Sequence, residues 1–159
     1  MNSSNNLLLL LSFCLLLLLL SGCMGDKASE TLAINNTAGY EGILVSGASS
    51  MVENSGYEET LVSGEGKANA LIDILNGKEL VEASEQELQD RSDDLEEPGS
   101  YRMLLYNEPS VNSTSEDLYL LLFYKDGTIQ VNQEGKSYFI ADPPKDLLSK
   151  LKSDWEITF

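Results

Sequence analysis

Leu7 to Leu20 form a leucine block interrupted only by Ser12, Phe13 and Cys14. As helix, that block rises about 21 Å, short of the ~30 Å hydrocarbon core of a bilayer. Its length suits the apolar region of a removable signal peptide better than a permanent span. Residues 1–22 are therefore expected to be cleaved off, leaving an exported chain. The start, Met1 to Asn6, carries no Lys or Arg, a departure from the positive charge usual there. The alternative, an uncleaved N-terminal helix with an incidental cysteine, would also leave the rest of the chain facing outward.

Small residues follow the block, Ser21-Gly22, and Cys23 comes directly after them. Leu20-Ser21-Gly22-Cys23 resembles the lipobox of bacterial lipoproteins, in which a leucine and two small residues precede a cysteine. The arrangement has a chemical logic. A small, extended Ser-Gly pair enters a peptidase site, and the thiol is the nucleophile that accepts a diacylglycerol thioether. The resemblance implies cleavage between Gly22 and Cys23, lipidation of Cys23, and a free amine open to further acylation. Each buried methylene contributes ~0.8 kcal/mol, and two or more chains anchor stably where one does not. The membrane is thus the first expected partner, held through Cys23.

Composition narrows what the remainder does. The formal charge is −16, from 26 acidic and 10 basic residues, and none of it lies in residues 1–22. Such a balance argues against nucleic acid, whose phosphates are met mainly by Lys and Arg. It also argues against electrostatic attachment to anionic lipid. With Cys14 removed, Cys23 is the last thiol, so no internal disulfide can form. The chain contains no His, which rules out Ser-His-Asp and Cys-His arrangements and the usual zinc sites. Ser63-Gly64-Glu65-Gly66 is too short for a phosphate loop. Paired carboxylates could support glycoside hydrolysis, but 26 acids make a chance pair expected. No catalytic residue, metal ligand or cofactor is assigned from the sequence.

Residues 23–39 are small, polar and weakly patterned, and read as a flexible tether. Asn35-Asn36-Thr37 and Asn112-Ser113-Thr114 match the glycosylation sequon, but ordinary loop residues are the better reading in a chain of this type. Residues 40–159 read as a single globular domain. Ile43 to Val45 and Ser49 to Glu53 look like strand, with Gly47 marking a kink or bulge. Asn54-Ser55-Gly56 signals a turn, and Tyr57 to Ser63 a returning strand. Ala68, Leu71, Ile72 and Leu75 recur at i, i+3, i+4 and i+7, one face of a helix, and Gly77 follows as its C-terminal stop.

Residues 82–97 are dominated by acids. Ser84 with Glu87 has the spacing of a capping box, and Pro98-Gly99 ends the segment. Asp90, Asp93, Asp94, Glu96 and Glu97 could hold a hard cation, but there is no EF-hand spacing and a solvated face is the favoured reading. Tyr101 to Tyr106 reads as a strand and Asn107 to Asp117 as a polar loop. Leu118 to Tyr124 is apolar on both faces, as in a central strand. Asp126-Gly127 makes a hairpin turn to Thr128–Asn132, and Ser137 to Ala141 returns. A helix is expected from Asp142-Pro143-Pro144, burying Leu147, Leu148 and Leu151, and the tail Trp155 to Phe159 packs back.

The resulting expectation is an α+β two-layer sandwich, an antiparallel sheet of about five strands covered by two helices. In pattern, Leu118 to Lys152 resembles the domain of small surface lipoproteins of Gram-positive bacteria. Tyr101, Tyr106, Tyr119, Tyr124 and Tyr138 would be contact residues if exposed, but half-buried sheet positions are expected for each. The functional expectation is a membrane-anchored extracytoplasmic lipoprotein with a non-catalytic binding domain for a protein or small ligand. The alternative is an inhibitor or regulator of an extracytoplasmic enzyme, acting through the Asn107–Asp117 loop or an edge strand.

Overall fold

A computed structural model describes residues 30–34, 39–49, 56–106 and 119–159. The leucine block, Gly22, Cys23 and the loop 107–118 lie outside these residues, as do the sequons. Eight strands are present among the described residues: β1 (Glu30–Thr31), β2 (Gly42–Ala48), β3 (Tyr57–Ser63), β4 (Glu79–Glu82), β5 (Tyr101–Tyr106), β6 (Tyr119–Phe123), β7 (Ile129–Gln133) and β8 (Lys136–Ile140). Three helices accompany them: α1 (Glu65–Leu75), α2 (Glu85–Asp90) and α3 (Leu147–Asp154), with a 3-10 turn at Asp93–Glu96. All strands join one antiparallel sheet in the order β1-β4-β8-β7-β6-β5-β2-β3.

The α+β class and the antiparallel sheet agree with expectation; the counts of about five strands and two helices are corrected to eight and three. The missed strands are short. Glu79-Leu80-Val81-Glu82 offers two apolar residues between glutamates, and becomes a strand because β8 pairs with it, Leu80 opposite Ile140. β1 extends that edge by two residues.

One face of the sheet carries the core. Ile43, Val45, Met103, Leu105, Leu121, Val131 and Leu80 are fully or almost fully buried there. The expected stripe on α1 packs into the same cluster, with Ala68, Leu71, Ile72 and Leu75 all at 0% exposure. Leu147 and Leu151 of α3 join it, and the tail closes the cluster with Ile157 and Phe159. α3 begins at Leu147, later than expected, because a residue preceding proline is driven to extended backbone and Pro143-Pro144 delays the first turn.

The expected tether 23–39 is in part domain. Leu32 and Ile34 are buried in the core. Leu32 donates its N–H to the Lys78 carbonyl at 2.8 Å and accepts one from Gly77 at 2.9 Å. The Asn76 side chain, at the end of α1, accepts from the Ile34 N–H at 2.7 Å and donates to the Ile34 carbonyl at 3.0 Å. Two apolar side chains and this backbone-like clamp overcome the polar composition around them. The expected kink at Gly47 is also absent: β2 runs in unbroken register against β3 from Gly42 to Ala48. Gly47 is there for close approach, since a Cβ would come within 2.9 Å of the Ser100 carbonyl oxygen and of the Tyr101 ring.

Candidate binding surface

The opposite face of the sheet divides into two halves. Over β6, β7 and β8 lies the first part of the acidic segment, α2 and Arg91. Ser84 starts α2 with the expected capping box: its hydroxyl accepts from the Glu87 N–H at 3.3 Å, and its own N–H donates to the Glu87 carboxylate at 2.8 Å. The short helix delivers Arg91 onto the sheet, its guanidinium 5.0 Å from the Tyr124 ring centre and 5.5 Å from that of Phe139. Arg91 also donates two hydrogen bonds of 3.1 Å to Asp126. Partial burial works against charge on Asp126, but the Thr128 N–H and hydroxyl and the Arg91 guanidinium outweigh it, and its carboxyl titrates below the usual range. Beneath, the buried Tyr124 hydroxyl donates to the Gln130 side chain at 2.6 Å.

Three of the acids considered as cation ligands are engaged elsewhere. Glu96 accepts from Arg102 at 2.8 Å and from the Tyr57 hydroxyl, Glu97 pairs with Lys125, and Asp90 accepts from Gln86 at 2.7 Å. No group of three or more ligating side chains occurs among the described residues. An open depression of about 410 Å³ lies beside α2, lined by Glu87, Asp90, Arg91, Thr128 and Phe139. It could admit a small molecule, and two carboxylates border it. Both are exposed and hydrogen-bonded within their own helix, whereas a carboxyl that holds a proton for hydrolysis needs a dry, apolar setting.

The other half, over β3, β2, β5 and β6, meets the 3-10 turn at one end, where Glu96 reaches Arg102 and Tyr57, and carries no α-helix among the described residues. Leu61 stands opposite Leu44, Leu44 opposite Leu104, and Leu104 opposite Leu120, a row of four leucines at right angles to the strands. Leu61 is 53% exposed and the other three are half-buried. On one side the row is bordered by Tyr106, packed so close over Gly42 that a Cβ there would sit 2.8 Å from the ring. On the other side stands Arg102, 5.0 Å from the Tyr57 ring centre and ion-paired with Glu96. At β3 the row runs out to the sheet edge.

Tyr101, Tyr106, Tyr124 and Tyr138 are buried more deeply than the half-burial expected, and Tyr119 is half-buried, so none of the five is an exposed contact residue. Tyr57, not singled out from the sequence, is 43% exposed and faces the leucine row's side of the sheet. The leucine row has no signature in the sequence. Of its strands only Leu118 to Tyr124 reads as apolar on both faces, and only the register, which no single strand encodes, brings the four side chains into line. Among the described residues no helix is long and apolar enough to cross a membrane. Comparison of the chain with protein-family models, with curated proteins and with solved structures finds no match.

Proposed function

We propose that the protein is an extracytoplasmic lipoprotein, anchored through Cys23, whose domain is a non-catalytic binding module using the half of the sheet that bears the leucine row. The observation that carries the binding role is the row Leu61–Leu44–Leu104–Leu120, apolar, in register and with no α-helix over it among the described residues. The row stays partly wet, most of all at Leu61. A contiguous apolar row left in contact with water on a small domain supports a role in binding, since a monomer gains nothing by wetting it. The anchor rests on Leu20-Ser21-Gly22-Cys23 and the short leucine block. Support for a non-catalytic role comes from a chain without His and from acids engaged with Arg102, Lys125 and Gln86. A second reading draws on the open β3 edge: the bound protein is an extracytoplasmic enzyme, and binding alters its activity.

The test is a photo-crosslinking amino acid at Leu120 in membranes of the native host. The expected product is a protein adduct that disappears when Leu44→Lys is added. Adducts with lipid alone, or protein adducts indifferent to Leu44→Lys, would overturn the binding role.

A further inference from the structure

Resting on that binding role, we propose that the outer edge of β3 accepts an extended segment of a different protein as an added strand, and that this segment carries an apolar residue together with two basic ones. β3 is seven residues long and, among the described residues, pairs only with β2. The far edge of the sheet is unlike it, ending in the two-residue β1. A strand laid beside β3 places a side chain against Leu61, extending the leucine row and burying the one member that is more than half exposed.

Charge chooses the occupant. Glu58 and Glu59 are consecutive, so they project from opposite faces of the same edge, and neither has an ion-pair partner among the described residues. Charges on an edge strand normally repel further strands, above all acidic or uncharged ones. The same two carboxylates select a strand that brings Lys or Arg opposite each of them. Antiparallel pairing then sets the order of the incoming segment: an apolar residue against Leu61, any residue against Thr60, and basic residues against Glu59 and Glu58. A second copy of this chain could continue the leucine row by pairing Leu61 with Leu61, but it would bring two molecules of formal charge −16 together and leave both glutamates unanswered.

The probe is a synthetic peptide of about eight residues with this apolar–any–basic–basic order in a threonine and valine background. Two partners control it: one with both lysines replaced by glutamate, and one N-methylated at alternate residues so that it cannot donate to a sheet edge. With the full chain in detergent, fluorescence anisotropy gives affinity and hydrogen exchange locates the site. The lysine peptide is expected to bind saturably and to slow amide exchange in residues 57–63. The glutamate and N-methylated peptides are expected not to bind. Leu61→Thr, and separately Glu58→Gln with Glu59→Gln, are each expected to weaken binding about fivefold.

Equal binding of the N-methylated peptide, or protection at Leu44 and Leu104 without β3, would overturn strand addition while leaving the leucine surface as a binding site. Protection of β3 that grows with chain concentration in the absence of peptide would assign the edge to a second copy, and overturn it likewise. If no peptide binds while the Leu120 crosslink still forms, strand addition fails alone. If both fail, the binding role fails with it.

Discussion

Individual residues show where chemistry was visible in the chain and where it was not. The Ser84–Glu87 capping box and the α1 stripe are local patterns, set by positions three or four apart, and both are found as read. Tyr119 is different, because its setting depends on neighbours distant in sequence. Its hydroxyl is buried without a hydrogen-bond partner among the described residues, and burial, reinforced by Tyr40, pushes its pKa up to about 12. The neutral form is therefore favoured on folding, so this contribution is complete below pH ~10 and is lost as the unfolded chain ionises above it. Allowing for partial solvent screening, denaturant melts should show about 1 kcal/mol lost between pH 9 and 11.5, and Tyr119→Phe should flatten that slope. Below pH 9 the same substitution should leave stability equal or slightly higher, since it removes an unsatisfied hydroxyl. An unchanged slope in the Phe variant would assign the pH dependence elsewhere. Gly47→Ala, which forces a Cβ against the Ser100 carbonyl and the Tyr101 ring, should cost about 1–3 kcal/mol in the same melts.

Elements were legible in proportion to how much of their stability is their own. The Asp126-Gly127 hairpin, the apolar run of β6 and the helix over Ala68–Leu75 carry their signals within a few residues. β1 and β4 do not: they exist because β8 and the core recruit them, and the polar residues around Leu32 and Ile34 read as tether. The clamp from Asn76 to the Ile34 backbone is what makes that recruitment definite. Asn76→Ala should cost about 1–3 kcal/mol, because it strands an N–H and a carbonyl beside the core. Hydrogen exchange should then rise first in residues 30–34 and at the end of α1, ahead of the central strands. If β2 and β5 loosen equally, the clamp is part of the global fold rather than a fastening for one edge. Arg91 plays the corresponding part on the other face. Arg91→Ala removes contacts with Tyr124, Phe139 and Asp126 together, and should speed exchange across α2 without altering β3.

At the scale of the molecule, the α+β class followed from the alternation of strands and amphipathic helices. The second face of the sheet could not be foreseen from pattern, because Leu61, Leu44, Leu104 and Leu120 come from four strands and only their pairing puts them side by side. The proposed anchor is tested on the whole molecule too: Cys23→Ala should move the protein from the membrane to the soluble fraction, and continued retention would exclude a thioether as the attachment. The strand order adds a geometric corollary. Residue 30 begins one margin of the sheet and β3 forms the opposite margin, with seven inter-strand steps between them, about 34 Å. A chain moored by its leader end would hold such a sheet like a flag on a short halyard, with the hoist beside the lipid and the fly out in the surrounding fluid. The Leu61 margin is then the part that a passing protein meets first, and the bilayer last.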